Sequence, residues 1–384
     1  MPAPPNLVSV APTQHALYAT LDLDLSWSER ELPERERTKH VHRLHPYLGK
    51  FIPQLVEVLL GRYVAAGGRV LDPFAGSGTT LVQALESGRD AVGGELAAFN
   101  CLLIRVKTAR YNEFTLEKEL RDALARHEAV GARSEGLSPG HGYIGEWFAP
   151  QAAADLLAWR DLVDDYEYAD VMRVVLARAA RSARLTTHFD LDFPRAPQRE
   201  PYWCHKHRRE CRPVDRASHF LRRYALDTLA RIKEFARVRD RSREASVLHG
   251  DSRELAFGGP FDAVLTSPPY PGLIDYHEQH RYAYELLGLD DRRELEVGAA
   301  AAGTSRAALA AYSDGIVTTL RNASEVSTPG APIMIVVNDR RDLYPEILER
   351  AGLGLEERLR RHVNRRTGRR AGEFFEDVLV AVAG

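Results

Sequence analysis

At 384 residues, with 44% hydrophobic and 28% charged side chains, the chain has ordinary globular composition, which excludes collagen-like, mucin-like and wholly disordered readings. Fifty-two basic against 54 acidic residues leave a net charge of −2, so the chain as a whole does not declare a polyanionic partner. The longest uncharged apolar runs, such as 333–337, fall far short of the roughly 18 residues of a membrane span. The first residues lack the basic-then-apolar layout of a signal peptide, and three cysteines (Cys101, Cys204, Cys211) cannot build a disulfide framework, so a cytoplasmic protein is expected.

Residues 1–40 are polar and poor in pattern and read as an arm. From Ile52 the apolar positions 52, 55, 56, 59, 60 and 63 form a helix stripe, with Pro53 placed to start it and Gly67-Gly68 to end it. Residues 69–71 read as a short buried strand that runs into Asp72-Pro-Phe-Ala-Gly-Ser-Gly-Thr-Thr80, and a helix follows as far as Ser87-Gly88. A second strand spans 90–94 with Glu95 at its tip, and 97–108 is again helical. Strand, Gly-rich turn, helix, strand and acid open a doubly wound α/β domain. Residues 110–245 interrupt this rhythm; they are largely helical by pattern, with an irregular centre over 186–213. Strands resume at 246–249, 261–265 and 332–337, and segments 355–363 and 374–382 read as a closing hairpin.

Two strings carry chemistry. In the 72–80 turn, Gly76 and Gly78 let the backbone approach a ligand at the start of a helix. A dinucleotide site would show a third glycine where Leu81 stands, so Gly-x-Gly alone could be plain turn chemistry. Glu95 is placed to accept bonds from ribose hydroxyls. The second string is Thr266-Ser-Pro-Pro-Tyr270 at the end of a buried strand. Its two prolines fix the backbone and remove two N–H donors, leaving Ser267 Oγ and the Pro268 carbonyl as acceptors beside an aromatic ring. Such a corner suits a planar ligand with an exocyclic NH2, although a simple strand terminator would look the same.

Together the two strings resemble the S-adenosylmethionine-dependent DNA amino-methyltransferases, which methylate N4 of cytosine or N6 of adenine. The resemblance extends to residues 45–54, similar to the segment that closes over the methionine moiety, to Asp251, and to Arg281 with Tyr284-Glu-Leu-Leu-Gly288. It spans 42–108 and 246–382. It implies a Rossmann-like class I methyltransferase sheet with helices on both faces and a large, mainly helical insertion. The core would comprise 41–109 and 246–384, and 110–245 would be the target-recognition region. It implies that Asp72, Pro73, Phe74, Gly76, Ser77, Gly78, Thr79 and Glu95 hold the cofactor, with Tyr47, Asp251 and Thr266, and that Ser267, Pro268, Pro269 and Tyr270 hold the base. Ser at the first tetrapeptide position is more typical of the N4-cytosine enzymes than the Asp or Asn of adenine enzymes. No Pro-Cys pair is present, which argues against C5 chemistry.

The implied partner is double-stranded DNA from which the target base is flipped, with a cognate restriction endonuclease as a possible second partner and no membrane. The setting would be the nucleoid of a bacterial or archaeal cell. Residues 201–250 carry 13 Lys and Arg against 6 acids, and 358–370 hold seven arginines and no acid. Arg208, Arg209, Arg212, Arg281, Arg365, Arg366 and Arg369 are therefore expected to contact DNA, with a solvated turn the alternative for the last three. Cys204, His205, His207 and Cys211 are zinc-ligand types, but adjacent Cys-His ligands would strain a tetrahedral site and the spacing is unusual. The expectation is a basic aromatic loop and no metal.

Overall fold

Alternation along the strands decides the architecture. In β1 (Arg69–Asp72), Val70 and Leu71 face opposite sides of the sheet, as do Ala91 and Val92 in β2 (Asp90–Glu95). The same holds for Val264 and Leu265 in β6 (Ala263–Thr266) and for successive residues of β7 (Ile333–Val337). Strands apolar on both faces need cover on both faces, and the chain supplies it. The computed structural model describes residues 25–27, 30–46, 51–131, 142–188, 194–363 and 374–383.

Among these residues the main sheet has seven strands in the order β5-β2-β1-β6-β7-β9-β8, with β5 at Ala245–His249, β8 at Leu353–His362 and β9 at Phe375–Ala383. The first five positions are parallel; β9 runs antiparallel to both β7 and β8. Order therefore reverses between β1 and β6, the place where an open α/β sheet forms a crevice at its carboxyl edge. The chain has a Rossmann-like α/β sheet with helices on both faces, in accord with the expectation.

Counting helices of five residues or more, α1 (Pro53–Tyr63), α2 (Thr79–Glu86) and α3 (Ala98–Thr108) cover one face, and α10 (Arg306–Glu325) and α11 (Tyr344–Ala351) cover the other. Between them come α4 (Glu113–Gly131), α5 (Tyr143–Trp147), α6 (Pro150–Arg160), α7 (Ala169–Ala183), α8 (Ser218–Ala236) and α9 (Arg281–Leu287). α1 stops at Tyr63, short of the predicted Gly67-Gly68, because Val64 turns extended and Arg89 caps the end, donating to the carbonyls of Leu60 at 3.0 Å and Val64.

The segment 110–245 does not stand apart as a separate body. Helices α4 to α8 form a third layer whose apolar residues (Leu120, Leu156, Trp159, Val175, Leu221) join one cluster with Phe99, Leu102 and Leu103 of α3. Consequently α3 is buried on nearly all sides, since it lies between the sheet and this outer layer. The irregular centre contains a small antiparallel hairpin, β3 (Tyr202–Cys204) and β4 (Arg209–Cys211), too short for periodicity to reveal. Three of the seven arginines in 358–370 (Arg358, Arg360 and Arg361) lie within β8 rather than between strands, and face Asp377 and Glu376 of β9. No described helix is long and apolar enough to cross a membrane.

Candidate active site at the carboxyl edge of the sheet

The turn after β1 is built by its own residues and by α3. Gly76 and Gly78 both take positive φ, at +52° and +81°. A Cβ on Gly78 would lie 2.8 Å from Ile104 Cγ1, so only glycine lets α2 start this close to α3. Asp72 is buried, and its carboxylate accepts from Thr80 Oγ1 at 2.6 Å, Thr266 Oγ1 at 2.7 Å and Phe74 N at 3.1 Å. One side chain thus ties the Gly-rich turn to α2 and to the end of β6. Burial pushes its pKa up to about 6 despite those three bonds. From α3 the buried Lys107 ammonium donates to the Ser77 carbonyl, fixing the crest of the turn.

Because β6 pairs with β1, the corner after β6 opens beside that turn. Ser267 Oγ donates to the Val336 carbonyl at 2.9 Å, which spends its only proton and leaves the oxygen as an acceptor. Tyr270 is half-buried and donates to Glu376 Oε1 at 3.2 Å; burial and that carboxylate hold its pKa well above the ordinary phenol value. The two loops meet in one cleft that is partly open to solvent. Its walls include Phe51, Pro73, Phe74, Gly76, Ser77, Thr79, Glu95, Asp251, Ser267 and Pro269. Residues 276–277 and 295–297 close the remaining side.

Comparison with known proteins decides the family. A family model described as DNA methylase matches residues 19–105. The chain is 34% identical over 441 aligned positions to the type II methyltransferase M.MjaII of Methanocaldococcus jannaschii, covering 93% of this chain and 83% of that protein. The chain belongs to the N6/N4 DNA amino-methyltransferase family. It is a DNA methyltransferase, and S-adenosylmethionine is its methyl donor. Among solved structures, the rRNA methyltransferase aviRa of Streptomyces viridochromogenes aligns at 14% identity over 88% of each chain with a TM-score of 0.34. TrmN of Thermus thermophilus aligns at 15% identity and a TM-score of 0.33 over 88% of this chain, which spans about half of TrmN.

The cleft of this methyltransferase suits the donor's charge. Among the described residues, Glu95, Asp251 and Glu296 line it and no Lys or Arg does, which matches a ligand with a sulfonium and an ammonium against one carboxylate. Burial pushes the Glu95 pKa up to about 7, although Oε1 accepts from Ala97 N at 2.7 Å and Asn100 and the Gly76 backbone also favour the charged form. Hydroxyl donors and a nearby cation would complete the stabilisation of that carboxylate. Ser77 Oγ is buried without a hydrogen-bond partner, a further polar atom that awaits one.

Of the residues the sequence singles out, Asp72, Gly78, Thr266, Pro268 and Tyr270 are not in the wall of this cleft. Asp72 and Thr266 bond each other behind it. Asp251 is in the wall but shared, since Arg253 Nε donates to both its oxygens at 2.9 Å. Arg208, Arg209 and Arg212 are exposed on or beside the β3–β4 hairpin. Arg281 is committed locally, to Glu285 at 3.2 Å and over the Tyr143 ring at 5.1 Å. Tyr47, Arg365, Arg366 and Arg369 lie outside the described residues. Cys204, His207 and Cys211 come together, and His188 joins them while His205 is exposed elsewhere on the turn.

Several wall residues escape the sequence reading. His277, fully buried, shares a short hydrogen bond from Nδ1 with Glu296, whose carboxylate also accepts from the backbone N–H of His277 at 3.0 Å and of Tyr276. Glu296 sits in an unremarkable acidic stretch and carries no signal of its own. Phe51 lies within the 45–54 string, which does mark it.

Proposed function

We propose that this protein transfers the methyl group of S-adenosylmethionine to the N4 amino group of cytosine in a short duplex DNA sequence, as the modification half of a type II restriction system. The observation that carries this reading is Ser267: its hydroxyl proton goes to the Val336 carbonyl at 2.9 Å, so the oxygen meets the cleft as a neutral acceptor. A neutral hydroxyl stands where adenine enzymes of the family carry Asp or Asn. The relative M.MjaII is a type II methyltransferase, and its high coverage supports the restriction setting.

The bound donor supplies an electrophilic methyl carbon. The chain does the rest by placement. A flipped base, held through its exocyclic NH2 by Ser267 Oγ and the Pro268 carbonyl, keeps its nitrogen lone pair free for in-line attack, and those acceptors stabilise the positive charge that develops on the nitrogen. Pro268 and Pro269 remove the N–H donors that would compete for the same position. Tyr270, oriented through Glu376, offers a ring for stacking, worth about 1–3 kcal/mol toward the cost of unpairing. Glu95 would hold the donor through its hydroxyls, and Glu296 would add a second carboxylate to the same wall. The 110–245 layer, with exposed Arg208, Arg209 and Arg212, reads the duplex.

Digestion of DNA methylated by the purified chain to single nucleosides, followed by mass spectrometry, tests the reading. N4-methylcytosine alone is expected. N6-methyladenine in its place overturns the base assignment and leaves the family intact.

A further inference from the structure

The hairpin β3–β4 and the segment before it bring together four side chains that the methyl-transfer site does not use. One potential ligand atom from each of His188, Cys204, His207 and Cys211 lies within 4.8 Å of all the others. Cys204 Sγ is 3.6 Å from His188 Nδ1 and 3.6 Å from His207 Nδ1, and Cys211 Sγ is 3.5 Å from His207 Nδ1. Zinc bonds of about 2.3 Å to sulfur and about 2.05 Å to nitrogen, set at tetrahedral angles, place S and N about 3.55 Å apart. These three separations match that value. Hydrogen bonding explains them poorly, because a single Nδ1 of His207 has one lone pair and meets two sulfurs at almost equal distance.

We infer that His188, Cys204, His207 and Cys211 form a structural Zn2+ site that staples the basic hairpin to the body of the protein. Sequence spacing alone misses it, since the fourth ligand is His188, sixteen positions before Cys204, and not the neighbouring His205. Without His205 the adjacent-ligand strain disappears, leaving Cys-x2-His-x3-Cys across a hairpin turn. Arg208, at φ +51°, takes the left-handed conformation that lets the turn fold back between the ligands.

The surroundings fit a metal on two further counts. Among the described residues, none from 188 to 211 belongs to a large hydrophobic cluster, and Trp203 is 60% exposed. A two-stranded hairpin this short is marginal in water unless something else holds it. Both cysteines are nevertheless buried, at 4% and 7% exposure, and both are free thiols. Two thiolates and two neutral imidazoles on one Zn2+ make a neutral core, and binding releases the two thiol protons. The Tyr202 hydroxyl accepts the His188 backbone N–H at 3.0 Å and lies 2.9 Å from Nδ1; without metal, its proton fills the lone pair that the ion takes.

The test is metal content and coordination of the full-length chain, expressed with added zinc, and then exchanged with cobalt. About one zinc per chain is expected after gel filtration, and the cobalt form should show thiolate-to-metal charge transfer with the intense visible bands of a tetrahedral site. Cys204→Ser and His188→Ala should each lower retained zinc by at least tenfold, whereas His205→Ala keeps it. The cobalt spectrum of the parent settles the matter even if the ligand variants fail to fold. A parent with less than a tenth of an equivalent of zinc, a Cys204–Cys211 disulfide in its place, or equal zinc loss in His205→Ala overturns the site. None of these readouts depends on which base is methylated.

Discussion

The cleft and the β3–β4 hairpin hold functional side chains by opposite means. At the cleft, Asp72, Lys107 and Gly78 are packed between sheet and helices, and the reactive corner inherits its precision from a core that surrounds it. The hairpin has almost no apolar interior, and its order depends on a cluster of two sulfurs and two imidazoles. The lesson is that catalytic geometry here is a by-product of folding, whereas the exposed basic surface needs its own fastening.

The contrast can be tested from its strongest point downward. With Ser267 in the proposed acceptor role, Ser267→Ala should lower single-turnover methyl transfer by about 10²–10³-fold, by analogy with loss of one group that stabilises transition-state charge. Cofactor affinity measured by calorimetry should change less than twofold in the same variant; a large loss there would mean that Ser267 serves the donor instead.

Gly78→Ala should be the most damaging small change to stability in the turn. It forces a Cβ onto Ile104 and a left-handed φ on alanine, costing about 1–3 kcal/mol in chemical denaturation. Ser87→Ala, at the far end of α2, should cost less.

Glu95 yields a pH signature. Its folded pKa of about 7 lies above the ordinary glutamate value, so the unliganded protein loses stability as pH rises from that ordinary value through 7. Donor binding favours the ionised form, and affinity should therefore rise about tenfold between pH 6 and pH 8, with a proton released on binding. Glu95→Gln should flatten that profile. Asp72 titrates lower, near 6, and turned away from the cleft it should contribute to the stability curve and not to the binding curve.

The smallest expected effect is on the hairpin surface. Arg208→Ala and Arg209→Ala should each weaken duplex binding severalfold, with the log–log salt slope falling by about 0.9 per lost phosphate contact. Donor affinity should stay unchanged; equal losses of both would place the hairpin at the cleft and end the contrast.

Local pattern determined much of this protein. Strands apolar on both faces, the Gly-rich turn and the Pro-Pro corner are properties of neighbouring residues, and they made the α/β fold and the two cleft loops legible in the chain. Proximity across distance was not legible. Glu296 reaching His277, Lys107 reaching Ser77, and the third layer packing onto α3 involve residues whose types are common and whose partners are set only when helices close over the sheet. His188 shows this most plainly: an isolated imidazole carries no information until the fold sets it beside Cys204, His207 and Cys211.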